Sequence, residues 1–75
     1  MTELVETASS LGMPFEASPS GRWIRLESPA GRFVYVIRKP WDGPYTVYCD
    51  SLHQPLPDEF RDPASAIQAG IEHLA

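Results

Sequence analysis

Cys49 and His53, with Asp50 and Ser51 among the residues between them, form the one grouping in this 75-residue chain with the character of a nucleophile or a metal site. A cysteine attacks or ligates as its thiolate, which forms beside a base or a positive charge. Asp50 acts the other way and raises the thiol pKa. On a strand that alternates with Tyr45 and Val47, Cys49 reads most simply as a small core residue. His73 falls in the last turn of a C-terminal helix, where a protonated imidazole complements the dipole. One cysteine and two distant histidines do not supply the four ligands in paired spacings that zinc takes, and no glycine-rich phosphate loop is present. Asp58 and Glu59 are adjacent in a loop and read as a solvated acidic cluster; with Asp62 they would offer a carboxylate patch to a basic partner. The expectation is a protein without catalytic residues, metal or cofactor, and not an enzyme.

Charge carries more information. Arg22, Arg25, Arg32, Arg38 and Lys39, five of the six bases, fall within eighteen residues that hold one acid, Glu27, so that segment carries +4 inside a chain of net charge −4. Arg61 against the nine remaining carboxylates leaves the rest at −8. Trp23, Phe33 and Tyr35 lie among those bases and Trp41 follows them, a mixture that suits an anionic or planar partner and equally a half-buried hairpin.

At 43% hydrophobic and 21% charged residues, the composition is that of one folded domain. A chain this short hides only about 60% of its unfolded surface on folding, so each buried aromatic counts. The single cysteine excludes an internal disulfide framework. No apolar run approaches the roughly 20 residues of a membrane span, and Glu3 and Glu6 stand where a signal peptide needs positive charge, so a cytoplasmic location without a membrane partner is expected.

These residues must be positioned by short elements. Thr2 is placed to cap a helix bearing Leu4, Val5, Ala8 and Leu11, ended by Gly12 and Pro14. Met13 to Gly21 reads as an extended crossover. From Arg22 the period becomes two, with Ile24 and Leu26 on one face and Trp23, Arg25 and Glu27 on the other. Ser28-Pro29-Ala30-Gly31 is a type I turn signal that makes a hairpin with the central strand Phe33–Ile37, apolar on both faces. After Pro40-Trp41-Asp42-Gly43-Pro44, Tyr45 to Cys49 supplies a third strand. Ser51 to Arg61 reads as an irregular loop anchored by Leu52, Leu56 and Phe60. Asp62 as N-cap and Pro63 at the first helical position open an amphipathic helix with Ala66, Ile67, Gly70, Ile71 and Leu74 on one face. The predicted fold is α+β, in the order α-β-β-β-α, with a three-stranded antiparallel sheet covered on one face by both helices.

That order resembles double-stranded RNA-binding domains over most of the chain. The family sets a lysine-rich cluster at the start of its last helix, where this sequence has Asp62-Pro63-Ala64-Ser65-Ala66, so RNA binding does not carry over. The helix-free face should be an aromatic and basic binding surface: Trp23 and Arg25 with either Val34, Val36 and Arg38 or Phe33, Tyr35 and Ile37, and with Tyr48 or Tyr45, according to register. The expected function is protein binding, with Trp23, Arg25, Arg38, Trp41 and Tyr48 as anchors beside the acidic Asp58 and Glu59. In size and charge the chain looks like the accessory inhibitors of phages and mobile elements, including anti-CRISPR proteins and antitoxins, with Glu3, Glu6, Asp50, Asp58 and Glu59 available to a cationic groove. The alternatives are a nucleic-acid binder using the basic hairpin 22–39, and a homodimer pairing through an edge such as Tyr45 to Cys49.

Overall fold

A computed structural model describes residues 2–12, 14–41, 43–50 and 54–74. Helix α1 (Glu3–Ser10) is followed by strands β1 (Phe15–Ala17), β2 (Trp23–Glu27), β3 (Phe33–Arg38), β4 (Tyr45–Cys49) and β5 (Gln54–Pro55), and by helix α2 (Pro63–Leu74). The strands form one antiparallel meander in the order β1-β2-β3-β4-β5.

The expected three-stranded sheet is therefore a five-stranded one. β1 lies inside the stretch read as a crossover and pairs Phe15, Glu16 and Ala17 with Leu26, Arg25 and Ile24. Three residues between prolines are too few to display an alternating pattern; what holds them is the turn that follows. The Ser18 hydroxyl accepts from the Arg22 and Trp23 N–H groups at 3.0 and 3.3 Å, and the Ser18 N–H donates to the Trp23 carbonyl at 3.0 Å, closing the hairpin.

The loop before α2 is likewise more ordered than its prolines suggest. Gln54 and Pro55 pair with Cys49 and Tyr48. The Leu56 N–H donates to the Val47 carbonyl at 2.8 Å, and Phe60 and Tyr45 exchange backbone hydrogen bonds at 2.7 and 2.9 Å. Pro55 lacks an N–H and fits only because β5 is an edge. Leu56 and Phe60 pack against the core, while Leu52 lies outside the described residues. β4 is thus an inner strand, so Tyr45 to Cys49 is not a free edge, and the edges of the sheet are β1 and β5.

Register puts Ile24, Val36 and Val47 in one row and Leu26, Val34 and Cys49 in the next, all buried beneath the helices. Burying each large aliphatic side chain contributes roughly 1.5–3 kcal/mol. Leu4 and Ala8 of α1 and Ala66 and Ile67 of α2 close the core from above. Gly70 lets α2 settle on the sheet: a Cβ there would lie 3.0 Å from Val34 Cγ2 and within 3.8 Å of Val36 and Val47. Thr2 ties α1 down, accepting from the Val5 N–H at 3.3 Å as N-cap and donating to the Gly21 carbonyl at 2.7 Å. The Asp62 carboxylate caps α2, accepting from the Ser65 N–H and hydroxyl, both at 2.9 Å, and these bonds hold its pKa below the ordinary carboxylate value.

Candidate functional site

Both helices pack on the Ile24–Val36–Val47 side of the sheet, and alternation sends the intervening side chains to the other side. The register settles the two options left open by the sequence: Phe33, Tyr35, Ile37 and Tyr48 join Trp23 and Arg25, while Val34, Val36 and Tyr45 turn inward. Trp23, Ile37 and Thr46 form one row across the sheet; Glu16, Arg25, Tyr35, Tyr48 and Pro55 form the next; Glu27 and Phe33 the third.

No helix covers this face, and its large side chains cover one another. Trp23 and Tyr35 meet edge to face with centroids 5.5 Å apart, Phe33 and Tyr35 at 5.9 Å, and the Arg25 guanidinium lies 5.5 Å from the Phe33 ring centre. Edge-to-face rings and a guanidinium over a ring are both favourable contacts, and they hold the side chains half-buried in fixed positions. Arg25 is also paired with Glu16 at 2.7 Å. The Glu16 carboxylate, helped by the Tyr35 hydroxyl, raises the Arg25 pKa, so this guanidinium stays charged. The depression between Pro14, Phe15, Glu16, Arg25 and Glu27 holds about 150 Å³. That is below the roughly 300 Å³ of a small-molecule site, so the face offers a broad relief and not a pocket.

The seven predicted contact residues fall in three places. Trp23, Arg25 and Tyr48 share the helix-free face. Arg38 does not: it ends β3 on the helix side, where its guanidinium lies 5.3 Å from the ring centre of the buried Tyr45. Its position two residues after Val36 carries it to the inner face, which only the register reveals. Trp41 stands in the β3–β4 turn, 94% exposed. Asp58 and Glu59 are exposed ahead of α2, and Glu59 is ion-paired with Lys39.

That pair joins the acidic loop to the basic segment and partly neutralises both. The five bases do not form one stripe. Arg25 is paired on the open face, and Arg38 sits on the opposite one. Arg22 donates to the Lys39 carbonyl at 3.1 Å, and Arg32 reaches the His73 carbonyl near the end of α2 at 3.4 Å. Phe33, Tyr35 and Ile37 are the face residues that the sequence left undecided.

Cys49 is buried, and desolvation, with Asp50 next, pushes its thiol pKa up. That environment suits a packed thiol and opposes a reactive one. Ser51 and His53 lie outside the described residues, among which no group of three His, Cys, Asp or Glu side chains is placed to hold a metal. No described helix is long and apolar enough to cross a membrane. In comparisons with known proteins no family model matches the chain, and no curated protein or solved structure is significantly similar to it.

Proposed function

We propose that this chain is a non-enzymatic protein-binding module whose contact surface is the helix-free face of the sheet, centred on Trp23, Arg25, Tyr35 and Tyr48. One observation carries the reading: three aromatic rings and a guanidinium are held in mutual contact, with Tyr48 paired opposite Tyr35, on the side of the sheet that neither helix covers. Trp, Tyr and Arg are the residues that dominate interface energetics, and here much of their ordering cost is met before a partner arrives. A flat relief of this kind matches a protein surface better than a metabolite.

Nucleic acid is the poorer match, because the hairpin bases point in different directions and two of them are paired with carboxylates. Size and net charge extend the proposal to a small inhibitor of the anti-CRISPR or antitoxin kind, seated by protein contact.

The test is a pull-down from native lysate, with and without nuclease, using the wild-type chain beside Tyr48→Ala and Arg25→Glu, each variant first shown to be folded by circular dichroism. A protein retained after nuclease by the wild type and lost by both variants supports the reading. Equal retention by all three removes the face from the contact, and retention that disappears with nuclease replaces it with nucleic acid.

A further inference from the structure

The bases that make segment 22–39 positive do not make the open face positive. Arg22 donates to the Lys39 carbonyl at 3.1 Å, Lys39 is paired with Glu59, Arg38 lies over Tyr45 on the helix side, and Arg32 reaches the His73 carbonyl at 3.4 Å. Of the five, Arg25 alone lies within the rows of the face. Acids gather there instead. Glu16 stands opposite Arg25, and Glu27 opposite Phe33. Asp50 extends β4 by one residue: its N–H donates to the Phe33 carbonyl at 3.3 Å, and it follows the inward Cys49, so alternation puts it on the helix-free side. Phe33 therefore lies between two carboxylate-bearing positions that are two strand spacings, roughly 10 Å, apart.

Three carboxylates against one guanidinium make this half of the face negative, and they remain open to a partner. Among the described residues the ion pairs engage Glu16 and Glu59 but neither Glu27 nor Asp50, and the Glu16 side chain is 69% exposed beside Arg25. The depression of about 150 Å³ between Glu16 and Glu27, too small for a metabolite, has room for one extended side chain of a partner. The bases at the other end are remote. Arg22 stands five residues before Glu27, roughly 17 Å along β2 and about two Debye lengths at physiological salt.

Resting on the protein-binding reading, we infer that the partner meets this face with a cationic surface, its lysine or arginine side chains set against Glu16, Glu27 and Asp50 and its apolar side chains against the Trp23–Ile37–Thr46 row. Of the carboxylates that the sequence offered to a cationic groove, Asp50 alone belongs to this surface; Glu3 and Glu6 ride on α1 across the sheet, and Asp58 and Glu59 precede α2. Phosphate-bearing partners have the wrong sign, since nucleic acid or an anionic lipid surface would bring negative charge onto three carboxylates. A second copy laid face to face fits less well in either sense: with like ends together it opposes carboxylates to carboxylates, and turned end for end it sets them against the uncharged Trp23–Ile37–Thr46 row.

The experiment has two arms. In the first, the isotope-labelled chain is titrated with hexaarginine and, as a control, hexaglutamate, and backbone amide shifts are followed by NMR. Shifts from the arginine peptide alone, largest at Arg25, Glu27, Phe33 and Asp50, are expected; shifts concentrated in α1 or at Asp58 and Glu59 would overturn the inference. In the second, the protein recovered through the open face is purified and titrated into the wild type and into Glu27→Lys/Asp50→Lys and Glu27→Gln/Asp50→Asn, each shown to be folded by circular dichroism. Binding at least tenfold weaker for the reversed pair, an intermediate loss for the neutral pair, and a wild-type affinity that falls as salt shortens the Debye length from about 10 Å at 0.1 M to about 3 Å at 1 M are the supporting results. Binding that Tyr48→Ala loses but the reversed pair keeps would overturn the cationic partner and leave the sheet face as the contact. Recovery of no protein overturns both readings. A dimer of the chain alone in sedimentation, lost in Tyr48→Ala, would reassign the face to a second copy.

Discussion

Replacing Gly70 by alanine sets two known effects against each other at one atom. Alanine in a helix interior is favoured over glycine by about 1 kcal/mol. The new methyl would lie 3.0 Å from Val34 Cγ2, whereas carbon atoms pack best at roughly 3.5–4.0 Å. About half an ångström must be absorbed, and Val34 is poorly placed to give way. It is buried in β3 with β2 on one side and β4 on the other, and its branched Cβ restricts χ1. Overpacking a core by one methyl costs about 1–3 kcal/mol, so Gly70→Ala should destabilise the domain by about 1 kcal/mol net despite its better helix propensity. In a chain this short that lowers Tm by roughly 4–8 °C. Thermal and urea unfolding followed by circular dichroism would measure it, with the exposed Gln68→Ala on the same helix as a control expected to stay within about 0.5 kcal/mol. The closing step is a double-mutant cycle: Val34→Ala removes the opposing methyl, and the pair should be less destabilised than the two single changes together by about 1 kcal/mol. A Gly70→Ala protein that melts above the wild type, or a cycle without coupling, would refute the claim that the helix–sheet distance is set at this contact.

Two further outcomes test other parts of the structure. Asp62 has its folded pKa lowered by the bonds from Ser65, so the stability it adds is present above the ordinary carboxylate pKa of about 4 and is lost as pH falls through the lower folded value; the Tm gap between wild type and Asp62→Ala should be full at neutral pH and close in acid, and a gap unchanged at pH 2 would show that the charged cap is not its source. Cys49 is buried with a raised pKa, so its reaction with a disulfide reagent should proceed only as fast as the domain opens and should accelerate in urea, whereas rapid labelling of the native protein would contradict the packed position.

The helices were the most legible part of the chain because their ends are written in local chemistry. Thr2 and Asp62 cap where their hydrogen bonds place them, and Gly12, at φ 70°, follows the first helix. The Ser28–Gly31 turn was equally plain, closed by the Gly31 N–H on the Ser28 carbonyl at 3.0 Å. β1 and β5 were not, since three- and two-residue strands beside prolines show no periodicity and owe their order to partners across the sheet.

For the proposed contact surface, the types of residue were readable and their grouping was not. Trp23, Arg25, Tyr48 and Trp41 stand out in the sequence as candidate anchors, but a period of two says only that Phe33, Tyr35 and Ile37 lie opposite Val34 and Val36. It does not say which set meets the helices, because both sets are apolar and a central strand tolerates either. Pairing with β2 and β4 decided it by placing Val36 between Ile24 and Val47, where α2 at Gly70 leaves room for small branched side chains and none for rings. The same pairing took Arg38 out of the surface that its sequence neighbours suggested, and the Lys39–Glu59 pair linked the basic segment to an acidic loop twenty residues away. Local composition thus determined the helices, the three longer strands and the candidate contact residues, while long-range register added the two short strands and decided which side chains share a face, because alternation specifies sides only relative to a partner strand.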